Sequence, residues 1–214
     1  MKISYAITTH NEYDEINRLF ELLIHHIDEE DEIVILDDYS DERTQEVFTS
    51  WVQQYGDKRI IKIEQRSLNK DFAAQKNYLN SICGGDYIFN IDADETPHPI
   101  LVSQIKQILE INDVDLIWIP RVNTIKGVTE EHIKKWGWRV NDKGWVNYPD
   151  YQSRVYRNID LIKWVKLVHE HIEGVKTYSH LPPQEELSLY HPKTIEKQEQ
   201  QNMFYNQNFS RELN

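Results

Sequence analysis

Asp92, Asp94 and Glu95 set three carboxylates within four residues, directly after the apolar run Tyr87-Ile88-Phe89-Asn90-Ile91. An unpaired carboxylate in low dielectric is costly, so these charges are expected to emerge from the core at the tip of a strand. Residues two apart point the same way in extended backbone, which would put Asp92 and Asp94 on one side. Two hard oxygen donors so placed suit Mg²⁺ or Mn²⁺ chelated together with a diphosphate. The plainer alternative is a solvated acidic turn that caps the next helix. Zinc is a competing chemistry, since His169 and His171 would share a face if extended. The His-Glu-x-x-His pattern fails, however, because position 173 is Glu173, and the one cysteine, Cys83, accompanies none of the histidines.

The run before the carboxylates is too short for a helix, is rich in β-branched and aromatic residues, and follows the turn pair Gly84-Gly85; it reads as a strand. Residues 3–8, 33–36, 60–63 and 116–119 read as four more. Between them lie segments with apolar residues at helical spacing: Ile16, Leu19, Phe20, Leu23 and Ile27; then Val47, Phe48, Trp51, Val52 and Tyr55. A third helix runs to about Ile82 after Asn69-Lys70-Asp71-Phe72, and Pro97 and Pro99 open a fourth. Strands alternating with helical crossovers predict an α/β fold with a mostly parallel central sheet and helices on both faces. Ligands of such sheets bind beyond the carboxyl ends of the strands. Thr8 to Glu12, Asp37-Asp38, and Asp92 to Glu95 all fall there. No Gly-x-Gly-x-x-Gly or Gly-Lys-Ser/Thr loop follows a strand, which excludes the usual dinucleotide and P-loop sites.

After Ile119 the character changes. Residues 121–170 hold ten lysines and arginines and four of the six tryptophans, Trp136, Trp138, Trp145 and Trp164. Trp164 sits in a strand-like run and is expected in the core. The other three lie among Gly, Lys and Asn in an expected loop, where flat rings beside hydrogen-bonding groups suit stacking on sugars or bases. Residues 194–208 read as a polar surface helix. No repeat or linker divides the chain, so residues 1–214 are expected to form one domain of two halves, 1–120 and 121–214, that differ in character.

The chain of 214 residues is 39% hydrophobic and 28% charged, with a formal net charge of −12. That charge argues against a protein built to grip nucleic acid or anionic lipid, although a local basic groove is compatible with it. One cysteine allows no internal disulfide. Residues 1–12 lack the apolar core of a signal peptide, and no apolar run approaches the length of a membrane span; a cytoplasmic protein with no integral membrane segment is expected.

Four ordered motifs resemble glycosyltransferase family 2, whose nucleotide-sugar-binding fold is the Rossmann-like GT-A fold. They are Thr8-Thr9-His10-Asn11-Glu12, Leu36-Asp37-Asp38-Tyr39-Ser40-Asp41, Asn69-Lys70-Asp71-Phe72-Ala73-Ala74-Gln75-Lys76-Asn77 and Asp92-Ala93-Asp94-Glu95. Gln152-Ser153-Arg154-Val155-Tyr156-Arg157, Trp164 and Val168-His169-Glu170 extend the likeness to the branch of lipopolysaccharide-core glucosyltransferases. The resemblance implies an inverting transferase using a nucleotide-sugar donor, UDP-linked in the first instance, with Mn²⁺ or Mg²⁺. By the same resemblance Thr8, His10 and Glu12 would line the nucleoside pocket and Asp38 would bond the base. Asp71 or Lys76 would close on the ribose or diphosphate, and Asp92, Asp94 and His191 would hold the metal and diphosphate. Glu170 falls at the catalytic base, with Asp150 as its rival. The expected acceptor is a carbohydrate, phosphorylated or plain; a nucleic acid base is the lesser reading, and a binding module without turnover the least. Tyr39 and Asp71 stand where the family more often has glycine. The first departure bears on nucleotide preference and the second matches the branch.

Overall fold

The computed structural model describes residues 1–209, so residues 210–214 of the expected domain lie outside the described residues. The amino-terminal part follows the alternation read from sequence: β1 (Ile3–Thr9), α1 (Tyr13–His26), β2 (Glu32–Asp37), α2 (Glu42–Tyr55), β3 (Ile60–Gln65), α3 (Phe72–Ile82) and β4 (Tyr87–Asp92). There follow β5 (Thr96–Pro97), α4 (Pro99–Asn112), β6 (Leu116–Lys126), α5 (Glu130–Trp136), β7 (Val146–Arg157), β8 (Lys163–Val165), β9 (His171–Glu173), β10 (Tyr178–His180), β11 (Leu189–Thr194) and α6 (Ile195–Asn208). The main sheet runs β3-β2-β1-β4-β7-β6-β11-β5, with β10 also on β6. Strands β3, β2, β1 and β4 are mutually parallel; β7 is antiparallel to both β4 and β6.

Strand alternation decides the two layers. Ile3, Tyr5 and Ile7 of β1, Ile33 and Ile35 of β2, and Tyr87, Phe89 and Ile91 of β4 face α1, α2 and α4. Ala6, Val34, Leu36 and Ile88 face the other way, against Ala73 and Leu79 of α3 and Trp164 of β8. Phe20 of α1 and Trp51 of α2 stack with centroids 3.9 Å apart, locking the first two crossovers together. Both faces of the parallel half are thereby covered by helices, as expected.

The second half departs further from its reading. The strand expected to end at Ile119 continues through Pro120 to Lys126. A proline lacks the N–H that a central strand needs. Here it falls between the stretch of β6 paired to β10 (116–118) and the stretch paired to β11 (121–126), while on its other side it stands opposite Tyr151 of β7. Residues 146–157 form a twelve-residue strand. Trp136 closes helix α5 instead of lying in a loop, and Gly137 ends that helix in the left-handed conformation, φ 65°. Trp164 is buried as expected, its indole N–H donating to Tyr156 Oη at 2.9 Å. No helix of the described residues is long and apolar enough to cross a membrane.

Candidate active site

The carboxyl ends of β1, β2 and β4, the middle of β6 and β7, and the inner side of α6 enclose one cleft of about 700 Å³. Of the residues singled out from sequence, Thr8, His10, Glu12, Asp38, Lys76, Asp92, Asp94, Glu170 and His191 all line it. Asp71 and Asp150 do not.

Asp92 ends β4 and Asp94 follows after the chain has turned out of the strand, so the extended geometry that would align them stops one residue too early. Their partners differ accordingly. Asp92 Oδ2 accepts from Arg154 Nη2 at 2.5 Å, and its Oδ1 lies 3.5 Å from Lys76 Nζ and 3.4 Å from Thr8 Oγ1. Burial opposes ionisation of Asp92, but Arg154 and Lys76 outweigh it and hold the carboxyl well below the usual range. Asp94 Oδ2 lies 3.4 Å from His191 Nε2 and 3.5 Å from Lys197 Nζ. Burial again opposes its charge; His191, when its ring is protonated on both nitrogens, and Lys197 override it, so Asp94 too is held low.

Glu95 departs most from expectation: it is fully buried, not exposed at the tip. It can be, because Arg154 Nη2 (2.6 Å) and Arg121 Nη1 (2.8 Å) both donate to its Oε1. Arg154 is itself only 4% exposed and ties Glu95, Asp92 and, at 3.4 Å, Asn90 Oδ1 together. The quoted Gln-x-Arg motif contains this arginine, but nothing in its spacing says which carboxylates it meets.

Glu170 also lines the cleft. Its Oε1 is 2.7 Å from Lys76 Nζ, and Lys76 in turn lies 4.4 Å from the centre of the Trp164 ring. The loop that carries Glu170 is docked on α3 by Phe72 N donating to Leu167 O at 3.0 Å. Lys166 (φ 74°) and His169 (φ 51°) take left-handed backbone in that loop, a conformation non-glycine residues adopt at some cost. Asp71 is the N-cap of α3, accepting from Ala74 N at 2.8 Å, so it shapes the helix that presents Lys76.

On the nucleoside side, Asp38 Oδ1 accepts from Leu68 N at 3.0 Å, and His10 Nδ1 lies 2.7 Å from Asp38 O. Tyr39 holds φ 51°, the left-handed backbone for which the family glycine is suited, and its ring is exposed. Glu12 is pushed up to about 7 by burial and by the charge of Asp94, with Lys197 pulling against them. Asp150 accepts from Arg121 Nε and Nη2 (3.0 and 2.7 Å), Asn123 Nδ2 (2.9 Å) and Gln152 Nε2 (2.9 Å); burial works against its charge, and these donors hold it low.

Helix α6 was expected to lie on the surface as a polar tail. Instead Gln198, Gln201 and Tyr205 line the cleft, and Lys197 reaches Glu12, Glu15 and Asp94, each at 3.5 Å. Lys193 joins them from β11, two residues beyond His191 and therefore on the same side of the strand. That period of two was available in the sequence. Among the described residues no three His, Cys, Asp or Glu side chains gather as a ready-made metal cage. Asp94 and His191 do offer one oxygen and one nitrogen donor side by side. Such a pair fits a small hard cation that takes its other ligands from substrate phosphates and water.

The model of glycosyl transferase family 2 matches residues 4–169. Among solved structures, S. aureus TarS 1-349 in complex with UDP superposes with a TM-score of 0.61 at 17% identity, over 90% of this chain and 60% of that one. The same protein in complex with UDP-GlcNAc gives 0.59 at 18% identity, over 90% and 59%. The longer TarS chain gives 0.61 at 17%, over 90% and 37%, so this chain spans well under two thirds of the proteins it matches. At such identity the likeness speaks for the fold, which is GT-A, and the family match carries the rest: the chain belongs to glycosyl transferase family 2.

Proposed function

We propose that this enzyme moves a sugar, with inversion, from a nucleoside-diphosphate donor to a hydroxyl of a carbohydrate acceptor. The observation that carries the reading is one cleft that gathers Asp94 beside His191, donors suited to a cation, and Glu170 beside Lys76, which also reaches Asp92. Thr8, His10, Glu12 and Asp38 would take the nucleoside, consistent with a UDP-sugar; the TarS structures of similar fold hold UDP and UDP-GlcNAc. Residues 1–120 are then the donor half, and the rest supplies acceptor and catalytic groups within the same domain.

Asp94 Oδ2 and His191 Nε2 would hold Mn²⁺ or Mg²⁺, with Asp92 steadying the turn between them. When bound, the cation supplies Lewis-acid neutralisation of the leaving diphosphate. Lys76 and Arg154 add positive charge beside it, and Lys193 closes the same side. Glu170 is the general base for the acceptor hydroxyl, a role worth about 10²–10⁴ in rate. A diphosphate reaching Lys76 competes with Glu170 for the ammonium and so frees the carboxylate to accept a proton. A single displacement, with Glu170 taking the proton of the attacking hydroxyl and no enzyme nucleophile intervening, gives inversion.

The acceptor side is bounded by Trp138, whose ring lies 4.6 Å from that of Trp136, which stacks on His132 in turn. Half-exposed rings bordering a polar cleft suit the face of a sugar. The reading is tested by sugar-nucleotide turnover across UDP-, GDP- and dTDP-sugars with Mn²⁺, then by transfer to glycan and DNA acceptors at two salt concentrations, with Trp138→Ala alongside. Hydrolysis of one UDP-sugar, with salt-insensitive transfer to a glycan that weakens in Trp138→Ala, is expected. Transfer to DNA alone, collapsing as salt rises, would replace the carbohydrate reading with the nucleobase one.

A further inference from the structure

Three residues on adjacent strands form a hydrogen-bonded chain whose polarity is fixed from one end. Asn123 stands opposite His191 in the pairing of β6 with β11, and Arg121 stands opposite Asp150 in the pairing of β6 with β7. Asp150 is surrounded by donors: two from Arg121, one from Asn123 and one from Gln152. An ionised carboxylate only accepts, so Asn123 must turn its NH₂ toward Asp150 and its carbonyl oxygen away. That oxygen, Oδ1, lies 2.7 Å from His191 Nδ1. An amide oxygen cannot donate, so Nδ1 carries the hydrogen. The nitrogen left facing Asp94, 3.4 Å from its Oδ2, is Nε2.

We propose that Asp150, acting through Asn123, is a positioning residue that fixes His191 as the Nδ1–H tautomer and presents the Nε2 lone pair to a divalent cation shared with Asp94. The proposal rests on the cation reading of the cleft and adds the groups that orient its nitrogen ligand. It also gives Asp150 work other than that of a base: with four donors on it and no place on the cleft wall, it holds the orientation of Asn123. Partners of this kind typically matter 10- to 100-fold for metal affinity.

The tautomer is read directly from long-range ¹H–¹⁵N correlations of the histidine-labelled, metal-free full chain, at a pH where the His191 ring is neutral. Mn²⁺ affinity is measured separately by calorimetry in the presence of UDP. The expected result is Nδ1–H in the wild type, loss of that preference in Asn123→Leu, and Mn²⁺ affinity down by about tenfold or more. Asp150→Asn, nearly isosteric, serves as the second variant should the leucine not fold, with the same expected direction. Nε2–H in the wild type, or an unchanged tautomer in both variants, overturns the relay. An Nδ1–H wild type that binds no Mn²⁺ leaves the relay standing and overturns the cation reading, so the two failures are told apart.

Discussion

Removing Arg154 should cost this protein more stability than removing any other single charge in the cleft. Arg154→Met keeps the aliphatic stem and deletes the guanidinium, leaving Glu95 fully buried with only Arg121 and stripping Asp92 of its 2.5 Å partner. Breaking a buried pair from one side costs about 3–5 kcal/mol, because the surviving charge stays desolvated. For a chain of this size each kcal/mol moves Tm by roughly 2–4 °C, so a fall of about 6–20 °C is expected. Equilibrium denaturation and calorimetry measure it. Glu95→Gln in the same background removes the orphaned charge and should return a large part of the loss, a coupling that a double-mutant cycle reads directly. The pH dependence has a definite sign. Asp92 is held low in the folded protein, so its contribution is present above the ordinary aspartate value of about 3.9 and is lost as pH falls below it. That acid-side loss should shrink in Arg154→Met. A variant within about 1 kcal/mol of wild type, or strictly additive single and double variants, would refute the account of the buried network.

Asp94→Asn should leave folding intact and abolish the Mn²⁺-dependent part of nucleotide affinity; calorimetry with unchanged metal-dependent binding would remove Asp94 from the cation site. Glu170→Gln should retain donor affinity while transfer falls by about 10²-fold or more. Normal transfer in that variant, with transfer lost in Asp150→Asn at saturating Mn²⁺, would exchange their roles. Glu12 titrates near 7 in the folded chain against an ordinary value of 4.5. A raised carboxyl contributes stability that is full below 4.5 and is lost as pH rises through about 7, so Glu12→Gln should be more stable than wild type at pH 8, by at most about 3 kcal/mol, and similar at pH 4.5. Tm at both pH values in metal-free buffer measures the difference, and parallel profiles for the two proteins would count against it.

The parallel half of the fold was legible because each strand is a short apolar run and each crossover has a helical stripe: Ile33 to Leu36 and Val47 to Trp51 can scarcely be read otherwise. The second half was not, and two residues show why. Pro120 argues against a strand on local grounds, yet it lies inside β6, at the point where the neighbour on one side changes from β10 to β11. Glu95 argues for exposure on local grounds, and only two arginines from strands 26 and 59 residues away make its burial tolerable. Both are tertiary answers to a local objection. Asp92 and Asp94 stand out in the sequence by their own chemistry, whereas Glu170 and His191 are reached only through the resemblance to the family. Lys193 and Lys197 were passed over because a lysine near a polar helix has an ordinary solvated explanation.

The net charge of −12 conceals how this cleft is balanced. Asp92, Asp94, Glu12 and Glu170 line it, and so do Lys76, Arg121, Arg154 and Lys193, with Lys197 within reach. Neither set alone could be kept so close: like charges packed together raise or lower one another until some are discharged. Interleaved, opposite charges hold each other ionised, as Arg154 does Asp92 and Lys197 does Asp94, while Glu12, next to Asp94, is pushed up to about 7. The consequence for chemistry is that the groups are already oriented before substrate arrives, so little reorganisation remains for the transition state. On the proposed reading, a diphosphate would enter by exchange and not by filling a site of one sign. It would take Lys76 from Glu170, while the Asp94 carboxylate would call for a cation in return. A donor lacking the β-phosphate would make that exchange incompletely and leave Glu170 paired. Nucleoside monophosphate should therefore bind weakly and, unlike the diphosphate, should fail to raise the affinity for Mn²⁺.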